Sequence, residues 1–247
     1  MKNILVRSLI VIVFVTIAFA SDVTKSKQPL RITPSFNWSS QTTNSPGSAK
    51  MTLGVISPSY LVQWRGEIPE PYKSFRQDIE GDMMELLTNK GFTVRGPFEA
   101  RDEMILADKK ACDLLLTVEI EPLFQSSTGG WQTEVSKSTG IGYYFKGSIS
   151  VYGKINLVAS EPLSGEKLWS KSLEIPTKTT PEIKSMVGVD QEDLLYLIQI
   201  DNTVANAITE VLQESYTDIL NKCDRLIEPE ELQSLQGEID RLKKSRE

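Results

Sequence analysis

Residues 113–124 of the chain read DLLLTVEIEPLF, and residues 143–158 read YYFKGSISVYGKINLV. In both stretches apolar and polar residues alternate, which is the pattern of a β-strand with one apolar and one mainly polar face. The apolar face of the second stretch also carries Gly147 and Gly153, which indicates a bend or close packing of a bulky neighbour. We therefore expect two long strands of one sheet, with a polar face in contact with solvent.

The residues around these strands predict a hairpin and a loop. Residues 162–165 read PLSG, a turn sequence, and residues 168–175 form a further apolar stretch. We therefore predict a long antiparallel hairpin between residues 143–158 and 168–175. Residues 125–142 are rich in Ser, Thr and Gly around Trp131, and for them we predict a loop.

Two amphipathic helices are predicted from apolar residues that recur at spacings of three and four. The first begins near Pro69 and Pro71 and ends before Gly91, a position that favours a positive φ. The second begins near residue 201. Asp201, Asn202 and Thr203 are its candidate N-caps. The apolar faces contain, respectively, Tyr72, Phe75, Ile79, Met83 and Leu86, and Val204, Ile208, Leu212, Tyr216, Ile219 and Cys223.

The order of these elements predicts the fold class. Short strands at 51–56 and 92–94 and short helices at 101–110 and 192–198 complete the series. We predict an α+β fold of α/β-like order over residues 50–226, with a single mixed β-sheet, a long antiparallel hairpin and helices mainly on one face.

The C-terminal segment, residues 227–247, predicts an amphipathic helix that starts at Glu228-Pro229. Its apolar residues follow a 3-4-3 spacing: Leu232, Leu235, Ile239 and Leu242. This spacing fits a tail helix docked on its own domain, and it also fits a short coiled coil used for self-association.

The N-terminal residues 1–20 have the composition of a secretory signal peptide. Lys2 and Arg7 flank the start of an apolar run that ends in Ala18-Phe19-Ala20, a small residue on each side of a larger one. The run of 12 residues from Leu9 to Ala20 is too short for a bilayer core of about 30 Å. No Cys follows the expected cleavage site, so we expect an exported protein without a lipid, in the periplasm or at the cell surface or outer membrane. An uncleaved anchor is the alternative. The polar composition of residues 21–49 predicts a flexible leader.

The charge balance and the missing residue types exclude several functions. Cleavage after residue 20 leaves 25 basic and 33 acidic residues, a net charge of about −8, which repels nucleic acid. The chain has no His, which removes Ser-His-Asp and Cys-His catalysis and the commonest zinc ligand. No glycine-rich phosphate loop occurs either. We predict no cofactor and no metal.

The chain has two cysteines, Cys112 and Cys223. In an oxidising compartment they could form a disulfide. The alternative is two separate buried thiols that act as small apolar side chains. Spacing along the sequence does not decide between these interpretations, because pairing depends on the distance between the two Cα atoms.

Glu119 and Glu121 are the best remaining pair for an enzyme, because their side chains project from the same strand face. A glycosidase needs two carboxyl groups roughly 5–9 Å apart, one of them with a raised pKa. The simpler interpretation is an ordinary solvated strand face, and we predict a protein without catalytic activity.

Several segments resemble the neuraminyllactose-binding haemagglutinin, or Helicobacter-type adhesin A, family. They are residues 84–94 (MELLTNKGFTV), Glu119-Ile120 with its apolar lead-in, residues 161–168 (EPLSGEKL) and the charged tail from Leu232 to Arg246, in matching order. The resemblance implies a non-enzymatic cell-envelope protein of the surface or flagellar sheath, to which sialoglycan binding is attributed. The segments around Gly91 and Gly165 also resemble small envelope domains of secretion and flagellar accessory proteins, in fold only.

The chain departs from this family in two ways. Family members begin the mature chain with a lipid-carrying Cys, which is absent here. The family's basic loop for sialic acid corresponds to residues 125–140, where Lys137 is the one cation and Glu134 adds a negative charge. Recognition of a sialic carboxylate favours Arg or clustered Lys, so no binding residues are carried over from the family.

Two functional hypotheses follow. In the first, Trp131, Tyr143 and Tyr144, with Lys137, bind a surface glycan; the alternative is that Trp131 pins the loop and the tyrosines cap the hairpin core. In the second, the chain is a periplasmic assembly or flagellar-accessory subunit that contacts an envelope protein or a second copy of itself through a sheet edge or the tail helix.

Overall fold

A computed structural model describes residues 28–40, 43–64, 66–136, 140–185, 187–189 and 193–244. The predicted signal peptide and Lys137 lie outside these residues. The elements are β1 (Thr52–Tyr60), α1 (Tyr72–Asn89), β2 (Thr93–Phe98), a 3-10 turn (Arg101–Glu103), α2 (Leu106–Ala111), β3 (Leu114–Ser136), β4 (Gly140–Ser160), β5 (Lys167–Thr179), β6 (Ile183–Lys184), α3 (Leu194–Ile200), α4 (Asn202–Leu226), α5 (Pro229–Gln233) and α6 (Gln236–Lys244).

The six strands form one mixed sheet in the order β2-β1-β3-β4-β5, and β6 pairs with β4. Strand β1 runs parallel to both β2 and β3. Strand β4 runs antiparallel to both β3 and β5, which confirms the hairpin predicted between β4 and β5. The predicted fold class, α+β with one mixed sheet and a C-terminal helical segment, is confirmed.

The two faces of the sheet differ in their cover. Helices α1 and α4 pack on what we call the inner face, where Leu114, Leu116, Val118 and Ile120 of β3 belong to the main core and are at most 1% exposed. Leu115 points to the opposite, outer face and packs in a smaller cluster with Ile56, Met104 and Cys112. Away from that cluster the outer face is mainly polar, as the alternation predicts.

Both long helices form where their spacing predicts. The predicted core residues of α1 and α4 are all at most 2% exposed. Gly91, just after α1, has φ of 92°, which a glycine adopts without strain. Among the candidate N-caps of α4, the structure selects Asp201, whose carboxylate accepts hydrogen bonds from the backbone N–H groups of Thr203 and Val204.

The loop predicted at residues 125–142 is wrong, because β3 continues to Ser136 and β4 begins at Gly140. The two strands pair continuously from Gln125↔Ser150 to Ser136↔Gly140, with a bulge between Ser126 and Thr128. Both faces of this part are largely polar, so alternation gives no signal, and pairing of the backbone sustains the strands. We call residues 121–136 and 140–154 the ribbon.

The ribbon also explains Gly147. A Cβ there would lie 1.9 Å from the carbonyl oxygen of Thr128, and a Cβ on Gly129 would lie 2.1 Å from that of Lys146. The bulky neighbour expected at Gly147 is therefore the backbone of β3, and any side chain at either position would force the strands apart.

Residues 28–40 have no regular secondary structure but are packed onto the domain. The ring of Phe36 is buried against Phe75 and Tyr216, with centroid distances of 5.3 and 5.2 Å. Trp38 donates its Nε1–H to Asn221 at 2.9 Å. These contacts differ from the flexible leader predicted for 21–49, because a few aromatic side chains anchor a segment whose average composition is polar.

The tail consists of two short helices rather than one. Helix α5 ends at Gln233, and the hydroxyl of Ser234 donates back to the carbonyl of Glu231 at the turn before α6. Leu232 and Ile239 are 1% and 0% exposed in the main core. The tail is thus docked on its own domain. In the described part of the chain, no helix is long and apolar enough to cross a membrane.

Candidate functional site

The inner face of the ribbon holds two of the predicted site residues. Trp131 lies opposite Phe145, with their rings edge to face and 5.8 Å apart. Tyr143 exchanges two backbone hydrogen bonds with Val189, of 2.8 and 2.7 Å. Both aromatic side chains are partly buried against the main core. This position fits the interpretation in which Trp131 pins the ribbon and Tyr143 caps the core.

Tyr144 lies on the outer face, because neighbouring residues of a strand point to opposite sides. It is paired with Gln132, whose side-chain oxygen accepts a hydrogen bond from the Tyr144 hydroxyl at 2.6 Å. The structure therefore separates Tyr144 from Trp131 and Tyr143. The three aromatic residues do not form one sugar-stacking surface.

Strand β6 brings a cation to Tyr144. The Lys184 ammonium lies 5.4 Å from the centroid of the Tyr144 ring, within the range of a cation–π interaction. Lys184 is paired directly with Lys146 of β4, whose ammonium is 3.9 Å from Glu182. Like charges directly opposite are unfavourable in a sheet, so this pair concentrates positive charge beside an aromatic ring.

The segment around β6 is held along β4 by local contacts. Ile183 is buried in the main core, and the backbone N–H of Ser185 donates to the carbonyl of Phe145 at 2.8 Å. The Thr180 hydroxyl accepts a hydrogen bond from the backbone N–H of Ile149 at 2.9 Å. The Ile183 side chain therefore points to the inner face. Because neighbouring residues of a strand point to opposite faces, the Lys184 side chain points to the outer face.

Tyr144 and Lys184 line a cavity of about 350 Å³, which we call the Tyr144–Lys184 groove. Its other lining residues are Thr133, Glu134, Ser185 and Gly188. It offers the Lys184 ammonium, an aromatic ring and the Glu134 carboxylate, so a polar ligand with a negative charge would place that charge at Lys184 and away from Glu134. No sequence pattern indicates Lys146 or Lys184 as site residues. Their position beside Tyr144 follows only from the pairing of β4 with β6.

A larger cavity of about 460 Å³ lies beside α1. Its charged lining residues are Glu67, Lys73, Arg76, Glu80 and Glu99. Arg76 lies 3.7 Å from Glu99. Three carboxylates against two cations give it no net attraction for an acidic ligand.

Glu119 and Glu121 lie on the polar outer face, opposite Asn156 and Lys154 of β4. Lys154 is in turn 3.4 Å from Glu174 of β5. This is a charged, partly exposed strand surface with partners across the sheet. Among the described residues, no group of three or more Asp, Glu or Cys side chains could hold a metal ion.

Cys112 and Cys223 are both free and buried. Cys112 belongs to the outer-face cluster and Cys223, on α4, to the main core of the inner face. The sheet separates the two thiols, so the disulfide interpretation is wrong and that of two apolar buried thiols holds. Burial raises the pKa of both thiols, that of Cys223 to about 12.

No protein-family model matches the chain. No curated protein matches it either. Among solved structures, it is similar to a neuraminyllactose-binding hemagglutinin homolog from Helicobacter pylori, with a TM-score of 0.56 and 16% identity over 83% of this chain and 97% of that one.

Two other solved structures are less similar. The hypothetical protein CT253 from Chlamydia trachomatis has a TM-score of 0.33 and 8% identity over 70% of this chain and 95% of that one. A minor lipoprotein from Acinetobacter baumannii has a TM-score of 0.28 and 12% identity over 71% and 90%. Of these three, only the Helicobacter protein exceeds a TM-score of 0.5, and with it the chain shares a fold.

Proposed function

We propose that this chain is an exported, non-enzymatic cell-envelope protein of the haemagglutinin type, which binds an acidic glycan in the Tyr144–Lys184 groove. The fold shared with a neuraminyllactose-binding hemagglutinin homolog over nearly all of that protein supports this class. The signal-peptide composition of residues 1–20 supports export. The proposal places the protein in the periplasm or at the cell surface.

The single observation that carries the glycan site is the Lys184 ammonium beside the Tyr144 ring. A sialylated sugar has one carboxylate and several hydroxyl groups. The ammonium would bind the carboxylate through charge-assisted hydrogen bonds. The Tyr144 ring would contact the rest of the sugar. Lys146, opposite Lys184, adds a second ammonium group to this surface, and Glu182 offsets part of its charge.

Lys184→Ala and Tyr144→Ala test this site. We expect both variants to lose binding of sialyllactose in calorimetric titration, with little change in melting temperature because both side chains are on the surface. Lys154→Ala is the matched control, since Lys154 is a lysine on the outer face of the same sheet, in β4, and does not line the groove.

Retention of sialyllactose binding in Lys184→Ala, or equal loss in Lys154→Ala, would contradict the site. Neutral lactose should not bind the wild-type protein.

Trp131→Ala should lower the melting temperature without abolishing sugar binding, because Trp131 lies on the inner face. Cell fractionation with N-terminal sequencing of the mature protein tests export and cleavage after residue 20.

A second candidate function is that of an envelope assembly subunit, including a flagellar accessory, that acts through protein–protein contacts. The observation that favours it is the edge of β3 beyond Ile120, which pairs with no other strand of the described residues on the side opposite β4. An exposed edge of this kind accepts an added strand. Size-exclusion chromatography with light scattering tests whether the purified chain is monomeric.

A further inference from the structure

We propose that the free edge of β3 pairs antiparallel with the same edge of a second copy of this chain, in a two-fold symmetric dimer centred on Gly130. The inference goes beyond the glycan site and does not depend on it. It concerns the residues of β3 on the side that faces away from β4. The groove between β4 and β6 is on the other side of the ribbon.

The edge becomes free where β1 ends. The last pair between β1 and β3 is Tyr60↔Ile120, followed by a hydrogen bond of 2.9 Å from the Leu61 N–H to the Ile120 carbonyl. Beyond it, β3 runs from Glu121 to Ser136 with β4 as its one strand partner among the described residues. Residues 122–136 span about 50 Å at roughly 3.3 Å per residue.

This edge lacks the protection that outer strands usually carry. After Pro122, at the start of this edge, residues 123–133 contain no charged side chain and no proline. The edge strand β5, in contrast, carries Lys167, Lys171, Glu174 and Lys178 as well as Pro176. Charges and prolines on edge strands prevent association with other edges. The edge of β3 is long and neutral, whereas that of β5 is protected. This difference indicates that β3 has a strand partner.

One register fits the alternation of the strand on both sides of the bulge. If Gly130 lies opposite its own copy and Ser127 remains the extra residue of the bulge, Gly129 lies opposite Trp131 and Phe124 opposite Val135. In each pair both residues belong to the inner face. Val135 is 76% exposed in the single chain. An aromatic residue paired with a β-branched one stabilises a sheet.

The charges of this register favour a second copy as the partner. Glu134 lies opposite the neutral Gln125, so no two carboxylates oppose each other between residues 124 and 135. Gly130 has no side chain at the two-fold axis, where two identical groups meet. An isologous contact needs only this self-complementarity. A strand of another protein at this edge is the alternative, and the oligomeric state of the purified chain distinguishes it from a second copy.

Cross-linking at the axis tests the dimer. In Gly130→Cys the two new thiols would face each other across a strand pair, close to disulfide range. Gly142→Cys is the matched control, because Gly142 lies on the outer face of β4, away from the edge. A Cβ fits at both positions, since nothing lies within 4 Å of it and neither glycine has a positive φ.

With copper phenanthroline as the oxidant, we expect most of the Gly130→Cys protein, and little of Gly142→Cys, to become a covalent dimer on a non-reducing gel. The native thiols are buried and do not interfere. By light scattering, we expect the wild type and Gly142→Lys to be dimers. Gly130→Lys should be a monomer with an unchanged circular dichroism spectrum, because two ammonium groups would meet at the axis.

A wild-type protein that is monomeric at its highest soluble concentration would overturn the proposal. So would equal cross-linking of both cysteine variants, or a Gly130→Lys protein that remains dimeric. A wild-type monomer that captures an envelope protein through this edge would assign the edge to a foreign strand and also overturn it. The Lys184→Ala variant, whose substitution lies in β6 and away from this edge, should remain a dimer, which keeps the outcome for the groove separate from that for the edge.

Discussion

The packing of residues 28–40 onto the domain makes a quantitative prediction for Phe36→Ala. Phe36 is 6% exposed, and its ring contacts those of Phe75 and Tyr216. Replacement of a buried Phe by Ala costs about 3–5 kcal/mol. The two aromatic contacts place this site in the middle of the range or above it. We therefore expect a loss of about 4 kcal/mol in the free energy of unfolding.

For a domain of this size, each kcal/mol lowers the melting temperature by about 2–4 °C, so the expected decrease is about 8–16 °C. Thermal and urea unfolding of the purified protein measure it. Leu30→Ala is the control within the same segment, because Leu30 is 90% exposed and its loss should change little. A decrease for Phe36→Ala no larger than that for Leu30→Ala would refute the packing and restore the flexible leader.

Three further predictions concern the core. Tyr216→Phe removes the hydrogen bond of 2.6 Å to Asp82 and should cost about 1 kcal/mol. Burial raises the Asp82 pKa and this bond lowers it, so the cost in urea unfolding should shrink from neutral pH downward as Asp82 takes up a proton. Cys112 and Cys223 should react with Ellman's reagent only on unfolding; fast reaction in the native state would contradict their burial. Ile239→Ala should destabilise by about 2–4 kcal/mol without changing the mass from light scattering; a changed mass would favour tail-mediated association.

The sequence predicts the parts of this fold whose pattern has one apolar and one polar side. The faces of α1 and α4 and the strand at 114–120 are of this kind, and their predicted core residues are buried. In residues 125–136 the pattern has no apolar side. The strand there depends on pairing with β4, a partner that no local window reveals.

The candidate site was less predictable because it depends on which residues meet across the sheet. Tyr144 was found from its aromatic side chain, but its separation from Trp131 follows only from the strand register. Lys184 lies in a two-residue strand, too short for any periodic pattern. The anchoring of residues 28–40 depends on contacts with α4 about 180 residues away, which composition does not report.

Strand β3 is part of the domain core at one end and part of the ribbon at the other. Leu114 to Leu116 are at most 1% exposed, whereas Ser126 to Gly129 are exposed. The free energy of local opening, which exposes a backbone amide to exchange, is low where few side chains are buried and high in the core. In the Gly130→Lys monomer, one continuous strand should therefore show a gradient of hydrogen–deuterium exchange, slow at Leu114 and fast beyond Ser126, because the ribbon opens while the core stays intact.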